Sequence, residues 1–209
     1  MGRTSNAKEK LLDVAFRLIW NSSYGTVSVD DICAQAGVKK GSFYHFFESK
    51  AALLVAAYDE HWRLKQPEMD RMFSPQVPGL ERIANWCQFM LDVQKQKAAD
   101  FGHVCGCPYA SVGAEMATQD DLIRAKCEQM MTRTKKYLES AIADANREGT
   151  ADCPHPQCTA NLIYSFVLGS LLQAKVQNNL ELLRNLEPTV MCIVRPKATA
   201  GESRELVAA

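Results

Sequence analysis

Residues 26–53 contain the pattern that most restricts how this 209-residue chain can fold. Ser28 is a favourable N-cap, and the apolar residues that follow it at helical spacing predict a short helix over about 29–36. Gly37 then supplies the residue type that most readily takes the positive φ of a tight turn. A second short helix is predicted over about 40–46. The pattern is therefore typical of a helix-turn-helix, in which one helix is available to enter the major groove of DNA.

The remainder of the chain is also predicted to be helical. Asn6 followed by Glu9 is a capping-box arrangement, so the first helix is expected over about 7–21. Ser49 is expected to cap a long fourth helix, and the three prolines between 67 and 78 are expected to kink or end helices. Five further helices are predicted at about 80–98, 107–116, 119–147, 156–178 and 180–194. Since no segment alternates like a strand, the predicted fold class is all-α, with a three-helix head and a helical bundle.

Composition and charge limit the classes of function. The chain has 24 Lys and Arg against 24 Asp and Glu, which disfavours nonspecific binding of polyanions by the whole molecule. Residues 1–50 have a slight basic excess, so phosphate contacts must come from a few well-placed groups. The most apolar stretch, 160–176, is interrupted by polar residues and is predicted to be a buried bundle helix. No opening segment has the features of a signal peptide, and a cytoplasmic protein is expected.

The second short helix carries hydrogen-bonding side chains on the side away from the core. Lys40, Ser42 and His45 are the candidates for contact with base edges, because lysine suits the acceptors of guanine while serine and histidine discriminate less. Lys39 adds a cation just before them. Gly41 would leave room for close approach to DNA; the alternative is that glycine is simply tolerated at a crowded helix start. The segment predicts a DNA-binding regulator.

Four segments within residues 4–56 form a specific combination. They are Ser28-Val29-Asp30-Asp31-Ile32, Ala36-Gly37-Val38, Gly41-Ser42-Phe43-Tyr44-His45-Phe46-Phe47 and Lys50-Ala51-Ala52-Leu53-Leu54. In this combination the chain resembles the TetR family of transcriptional regulators. The resemblance implies an all-helical homodimer, a small N-terminal head that binds a double-stranded DNA operator, and a C-terminal domain that dimerises and encloses a small-molecule effector.

The resemblance also implies contacts with phosphate. Tyr44 would reach a phosphate with its hydroxyl, as the family's aromatic residue does there; the alternative is packing on the first helix. Lys50 would add a cation to the free N–H groups at the start of the fourth helix, where phosphate is attracted, unless it is only a solvated lysine. Ser28 could be both helix cap and phosphate donor, although capping alone would explain it. Arg3 and Thr4 are candidates for an arm on the DNA backbone or in the minor groove.

The C-terminal part resembles a subset of the family. Gly106-Cys107-Pro108 looks like the Gly-Cys-Pro start of that subset's sixth helix, and 168–175 looks like its eighth helix. In the family the last two long helices pack against their twins in the homodimer. Small residues in an apolar helix permit such an approach, although packing within the chain is the alternative. The predicted interface residues are Gly169, Ser170, Leu172, Gln173 and Val176.

Large, adaptable side chains predict a pocket for an apolar or aromatic ligand. The candidate lining residues are Tyr58, Trp62, Trp86, Phe89, Met90, Cys107, Met130, Met131, Tyr137 and Phe166. For any one of them a place in the core is the alternative, because aromatic residues and methionines at helical spacing usually pack inside.

Two clusters contain side chains that can bind metals: His103, Cys105 and Cys107, and Cys153, His155 and Cys158. Neither has the paired C-x-x-C spacing of a structural zinc site, so no metal and no cofactor are predicted. Cys107 is expected at a helix N-terminus, where the dipole raises the thiolate fraction, and Cys105 could resolve an oxidised form. A redox- or electrophile-sensing repressor acting through Cys107 is therefore an alternative; a small buried thiol in the pocket wall is the simpler interpretation.

The leading prediction is a ligand-responsive repressor, released from a near-palindromic operator by a small apolar or aromatic molecule. A helical enzyme that uses a cysteine or a metal is disfavoured, since the sequence has no phosphate loop, G-x-S-x-G or H-E-x-x-H motif. The predicted domains are 1–52 for DNA binding and 53–194 for ligand binding and dimerisation, with a disordered tail over 195–209. The fourth helix would connect the two domains mechanically.

Overall fold

The computed structural model describes the backbone of residues 2–194 and the side chains of residues 6–194. The described residues form nine α-helices and one 3-10 helix, Leu180–Leu183, and no β-strand occurs among them, which confirms the all-α prediction. The α-helices are α1 (Gly2–Asn21), α2 (Val29–Ala36), α3 (Lys40–Phe46), α4 (Lys50–Met72), α5 (Gly79–Phe101), α6 (Pro108–Met116), α7 (Asp121–Glu148), α8 (Pro156–Gln177) and α9 (Leu186–Val194). The tail over 195–209 and the side chains of Arg3 and Thr4 lie outside this description.

The prediction for the start of α1 needs correction, and of the two effects predicted for the prolines, ending a helix does not occur at Pro67. α1 begins at Gly2 rather than near residue 7, and Asn6 is an exposed residue inside the helix rather than its cap. No proline or glycine occurs in residues 3–6, so nothing in that segment prevents the helix from extending. Pro67 lies within α4, which continues for five more residues to Met72. An exposed proline costs one backbone hydrogen bond but does not necessarily end a helix.

The chain turns sharply after α8. Asn178 adopts a left-handed conformation with φ 47°, which ends the helix. The side chain of Asn179 then accepts a hydrogen bond from the backbone N–H of Glu181 at 2.9 Å and starts the 3-10 helix. The single helix predicted over 180–194 is wrong, because a turn at residues 184–185 separates the 3-10 helix from the nine-residue α9.

The chain forms two compact units. The described part of the first comprises 2–69 and 97–133, and that of the second comprises 70–96 and 134–194. The first unit thus contains α1 to α3, most of α4, α6 and the beginning of α7. Its core joins Phe43 of α3 and residues of α1, α2 and α4 to Val112 of α6 and the start of α7.

The second unit contains a buried ion pair. Arg82 of α5 is 1% exposed, and its Nη1 donates to Asp144 Oδ2 of α7 at 2.7 Å. Gly79 at the start of α5 packs directly on the α7 backbone. Ile163, Val167 and Leu171 place one side of α8 in the core of this unit, as predicted for this apolar stretch. Within the described part of the chain, no helix is long and apolar enough to cross a bilayer.

Candidate nucleic-acid interface

Ser28 caps α2, as predicted. Its hydroxyl accepts a hydrogen bond from Asp31 N at 3.1 Å, and the Asp31 carboxylate accepts from Ser28 Oγ at 2.6 Å and from Ser28 N at 2.9 Å. These bonds stabilise the carboxylate and lower the pKa of Asp31. α2 ends at Gly37, whose φ of 63° is the left-handed conformation predicted for the turn. Val38 N then donates to Cys33 O at 3.0 Å, which fixes the direction of the chain into α3.

α3 has one buried side and one accessible side. Phe43 is fully buried and packs against the ring of Phe47. The ring of Tyr44 lies edge-on to Phe43 at 5.0 Å, and 54% of Tyr44 is exposed. The predicted DNA-binding residues of α3 and its N-cap are exposed except for Ser42, which is half-buried: Lys39, Lys40, Gly41, Ser42, Tyr44 and His45. These side chains are therefore accessible to a partner.

Gly41 lies in open space at the start of α3. A Cβ added there would meet no atom of the described residues within 4 Å. The packing of the chain itself therefore does not require glycine, contrary to the interpretation of a crowded helix start. The open space is compatible with the close approach to DNA predicted for this position.

The side chain of Lys40 is turned back towards α2. Its Nζ lies 2.8 Å from Asp30 Oδ1 and donates to Asp30 Oδ2 at 3.0 Å. The hydrogen bond and the charge of Asp30 raise the pKa of Lys40. Both side chains are exposed, with 52% of Lys40 and 69% of Asp30 accessible, so the pair is weak and its lysine can exchange partners.

Lys50 holds the turn between α1 and α2. Its Nζ donates to Tyr24 O at 2.8 Å and to Val27 O at 2.9 Å, and it lies 4.0 Å from the centroid of the Tyr24 ring. Burial lowers the pKa of Lys50, and the charge of Glu115 acts in the opposite direction. An ammonium has three N–H donors, so a phosphate could take the third. The contacts with the two carbonyl groups were not foreseen from the sequence.

Glu115 of α6 also contacts this turn, and it was not among the residues predicted from the sequence. Its Oε2 accepts from Tyr24 N at 3.0 Å and its Oε1 accepts from Gly25 N at 2.6 Å. In the chain, Tyr24 precedes Glu115 by 91 residues and Gly25 precedes it by 90. No local sequence pattern could have indicated it.

The predicted ligand-lining residues are divided between the two units. The first unit contains Tyr58, Trp62, Cys107, Met130 and Met131, and the second contains Trp86, Phe89, Met90, Tyr137 and Phe166. Tyr58, Met130 and Trp86 are almost completely buried, which matches the alternative of a place in the core. The other residues in both groups are partly exposed and stay candidates for contact with a ligand.

Cys107 is the N-cap residue of α6 and is partly exposed, whereas Cys105 is fully buried and its thiol donates to His103 O at 3.7 Å. Burial raises the pKa of Cys127 to about 11, and Cys107 adds a smaller effect in the same direction. The Tyr58 hydroxyl donates a hydrogen bond to Pro108 O, next to Cys107 in the chain, at 3.2 Å. The Cys127 thiol therefore stays protonated at neutral pH.

The two Cys/His clusters make other contacts. In the part of the chain that is described, no group of three or more His, Cys, Asp and Glu side chains is placed to hold a metal ion. His103 Nε2 instead lies 3.1 Å from Asn21 O, and the Cys153 thiol donates to Val194 O at 2.8 Å. All eight cysteines are in the described residues, and none forms a disulfide.

One side of α8 is accessible. Leu172 is 59% exposed and Val176 is 76% exposed, and Gln173 is exposed beside them. A Cβ at Gly169 would meet no atom of the described residues within 4 Å. The Ser170 hydroxyl donates to a carbonyl of its own helix at 3.0 Å. The predicted interface residues thus include exposed apolar side chains next to an open glycine.

Comparison with known proteins gives matches along most of the chain. Residues 11–57 match the family model for bacterial regulatory proteins of the tetR family, and 79–188 match the model for the tetracyclin repressor-like C-terminal domain. An uncharacterized helix-turn-helix-type transcriptional regulator of Lactococcus lactis is 27% identical over 182 residues, which are 86% of this chain and 89% of that protein.

A repressor of Escherichia coli K12, the helix-turn-helix-type transcriptional repressor NemR, is 25% identical over 195 residues, or 92% of this chain and 96% of NemR. The crystal structure of the reduced form of E. coli NemR superposes with a TM-score of 0.82 and 25% identity, and the match covers 92% of this chain and 99% of that chain.

Proposed function

Because this chain belongs to the TetR family of bacterial transcriptional regulators, we propose that it is a repressor that leaves its operator when a small molecule binds. Regulators of this family bind DNA and small-molecule effectors and act as dimers, and the protein is a regulator rather than an enzyme. Repression is proposed because the related NemR is a repressor. Binding to the chromosome would place the protein in the cytoplasm.

The observation that carries the proposal is the accessible side of α3. Lys40, Ser42 and His45 would contact base edges in the major groove, with Gly41 leaving space between them and the DNA. Tyr44 and Lys50 would contact phosphates, and Lys39 and Ser28 would make further contacts with the DNA backbone. A dimer would place two such helices in successive major grooves, about one helical turn apart, on a near-palindromic operator.

The proposal is tested by a gel-shift with the DNA upstream of the protein's own gene, under reducing conditions and without added ligand. We expect sequence-selective retardation that weakens as the salt concentration rises. Equal retardation of a scrambled duplex of the same composition would overturn the proposal. A duplex containing one half-site serves as the control for dimeric binding, and it should bind more weakly.

The dimer is proposed to form through α8 and α9. The exposed side chains of Leu172, Gln173 and Val176, together with Gly169 and Ser170, offer an apolar surface with room for a second helix. The support is the exposure of these apolar residues on one side of α8. A dimer pairs identical surfaces about a two-fold axis, so each interface residue would be contributed once by each protomer.

The effector is proposed to be a small apolar or aromatic molecule. Partly exposed aromatic and methionine side chains such as Phe89 and Met90 are suited to such a ligand. The ligand would act by binding more tightly to a conformation with a different spacing of the heads, since equal affinity for both conformations would shift nothing. α4 would carry this change to the head. Native mass spectrometry of the purified protein tests for a molecule that remains bound.

A second candidate function is redox or electrophile sensing by Cys107. It is favoured by the partial exposure of this thiol at the N-cap of α6, because Cys105 and Cys127 nearby are buried. A related repressor has been crystallised in a reduced form. If Cys107→Ser leaves release from the operator by oxidants and electrophiles unchanged, this candidate is wrong. Cys192→Ser, at an exposed thiol of α9, is the matched control.

A further inference from the structure

The turn between α1 and α2 is held from two sides by opposite charges. The Glu115 carboxylate on α6 accepts hydrogen bonds from Tyr24 N and Gly25 N, at 3.0 and 2.6 Å. The Lys50 ammonium on α4 donates to Tyr24 O and Val27 O, at 2.8 and 2.9 Å. The peptide groups of this turn are therefore fixed between an anion from α6 and a cation from α4.

The segment that leads into α6 contacts the end of α1 as well. The Trp20 indole Nε1 donates to Gly106 O at 2.9 Å in a buried position. His103 Nε2 donates to Asn21 O at 3.1 Å. With Glu115, residues 103–115 make four hydrogen bonds to the last turn of α1 and to the turn that follows it.

We propose that Glu115 is a positioning residue for operator binding. It fixes the α1–α2 turn so that Lys50 and the start of α2 are held in the arrangement that meets phosphate, and it transmits a displacement of α6 to the head without using α4. This inference rests on the proposed function, because it concerns the affinity of the same helix-turn-helix for DNA.

The chemistry of the contact supports a strong coupling. Hydrogen bonds to an ionised acceptor are about twice as strong as neutral ones, and here two carboxylate oxygens meet two consecutive N–H groups. Gly25 permits this approach, because a Cβ at that position would lie 2.8 Å from Glu115 Oε1. The clash would be with the end of a flexible side chain, so Gly25→Ala should displace the carboxylate without unfolding the turn.

Two effects of Glu115→Gln on DNA binding have opposite signs. Removing a negative charge from the protein strengthens its attraction to DNA. Losing the carboxylate frees the turn, so that the turn must be ordered when DNA binds, and this weakens binding. Glu128→Gln, at an exposed glutamate of α7 in the same unit, removes the same charge and is the matched control. Gly25→Ala tests the contact with the charge retained.

The experiment uses the full-length protein and a duplex that the wild-type protein selects from a random pool. We expect Glu115→Gln to bind this duplex about tenfold more weakly, as the loss of one charge-assisted hydrogen bond would cause. Gly25→Ala should weaken binding in the same direction, while Glu128→Gln should bind equally or more tightly. Amide hydrogen exchange at Tyr24 and Gly25 should be faster in the two weakened variants than in the wild type.

Transmission from α6 is tested by a double-mutant cycle. A Cβ at Gly113 would lie 3.3 Å from Cys127 Cβ of α7, so Gly113→Val should displace α6 from α7. We expect it to weaken duplex binding in the wild-type background and to add little in the Glu115→Gln background. Independent, additive effects would overturn transmission through Glu115.

Unchanged duplex affinity and unchanged exchange in both Glu115→Gln and Gly25→Ala would overturn the inference as a whole. Selection of no duplex by the wild-type protein would instead contradict the proposed function. Thermal melts of each variant distinguish loss of affinity from loss of fold.

Discussion

Lys40 Nζ lies 2.8 Å from Asp30 Oδ1, so the first residue of α3 is ion-paired with the first turn of α2. The pair bridges the two helices of the helix-turn-helix on their exposed side. A base or phosphate that binds Lys40 must therefore compete with the Asp30 carboxylate. The pair restrains Lys40 when DNA is absent and opposes its transfer to DNA.

Asp30→Asn should tighten binding to a selected operator duplex, by about threefold at low salt, because it removes a competing partner and a charge that repels DNA. Fluorescence anisotropy titrations at two salt concentrations measure the change. Asp13→Asn, at an exposed aspartate of α1, controls for the charge alone. Weaker binding by Asp30→Asn than by this control would mean that the ion pair orients Lys40 for DNA instead of competing with it.

Lys40→Ala should relax the base preference at one operator position, because a lysine that contacts a base edge carries sequence information. Lys50→Ala should weaken binding to all duplexes alike and reduce the salt slope by about 1, as expected for one lost phosphate contact. Both are measured on duplexes with single base-pair changes. Equal loss of base preference in the two variants would contradict this division of roles.

Gly79→Ala should strongly destabilise the second unit. Its Cβ would overlap with Ala141 O and would lie 2.6 Å from Ala145 N, and both are backbone atoms that cannot swing away. Overpacking of this kind costs typically about 1–3 kcal/mol of unfolding free energy. Urea unfolding measures the loss. Gly41→Ala, whose Cβ meets no described atom within 4 Å, should leave the unfolding midpoint unchanged or slightly raised.

Gly169→Leu should weaken the dimer while the protomer stays folded, because the added side chain would meet no described atom of its own chain near its Cβ. We expect a rise of about tenfold or more in the dimer dissociation constant, as a large group in a close helix contact forces the helices apart. Sedimentation equilibrium measures it. Lys136→Leu, at an exposed site of α7, is the control for added apolar surface. An unchanged dissociation constant would mean that the dimer interface lies elsewhere.

His61 should make stability depend on pH. It stacks on Phe16 with centroids 4.0 Å apart, and burial, with smaller effects of Lys65 and Lys97, lowers its pKa to about 4. Between this value and about 6.5 the unfolded chain binds more protons, so the free energy of unfolding falls as the pH falls. The loss from pH 8 to pH 5 is about 2 kcal/mol for a shift of this size.

Urea unfolding at pH 8, 6 and 5 measures this dependence. His61→Phe keeps a flat ring on Phe16 and has no proton to gain, so its unfolding free energy should fall less than that of the wild type over the same range. Parallel curves for the two proteins would show that other groups cause the acid sensitivity.

The helices of the head were predictable because their ends depend on local chemistry. Ser28 and Gly37 fix the ends of α2, and the predicted spans of α2 and α3 agree with the structure. The start of α1 was not predictable from Asn6, because an exposed asparagine can occupy a helix interior as well as its cap. The break before α9 is a turn at residues 184–185, which a search for apolar periodicity does not detect.

The contacts of the site were less predictable than its helices. That Lys40 and His45 of α3 are exposed followed from the buried position of Phe43 on the other side. The partners of Lys40 and Lys50 within the chain did not follow, because they depend on tertiary structure. Glu115 was one of several glutamates in the C-terminal part, and only the fold brings it to the turn.

The compact unit that carries the helix-turn-helix also includes residues 97–133. A chimera made by grafting the first four helices onto another regulator would therefore keep the exposed side chains of α3 but lose Glu115, the acceptor for Tyr24 N and Gly25 N. Under the proposed role of Glu115, swapping specificities between relatives would require α6 to be transplanted with the head, or its carboxylate to be rebuilt in the host.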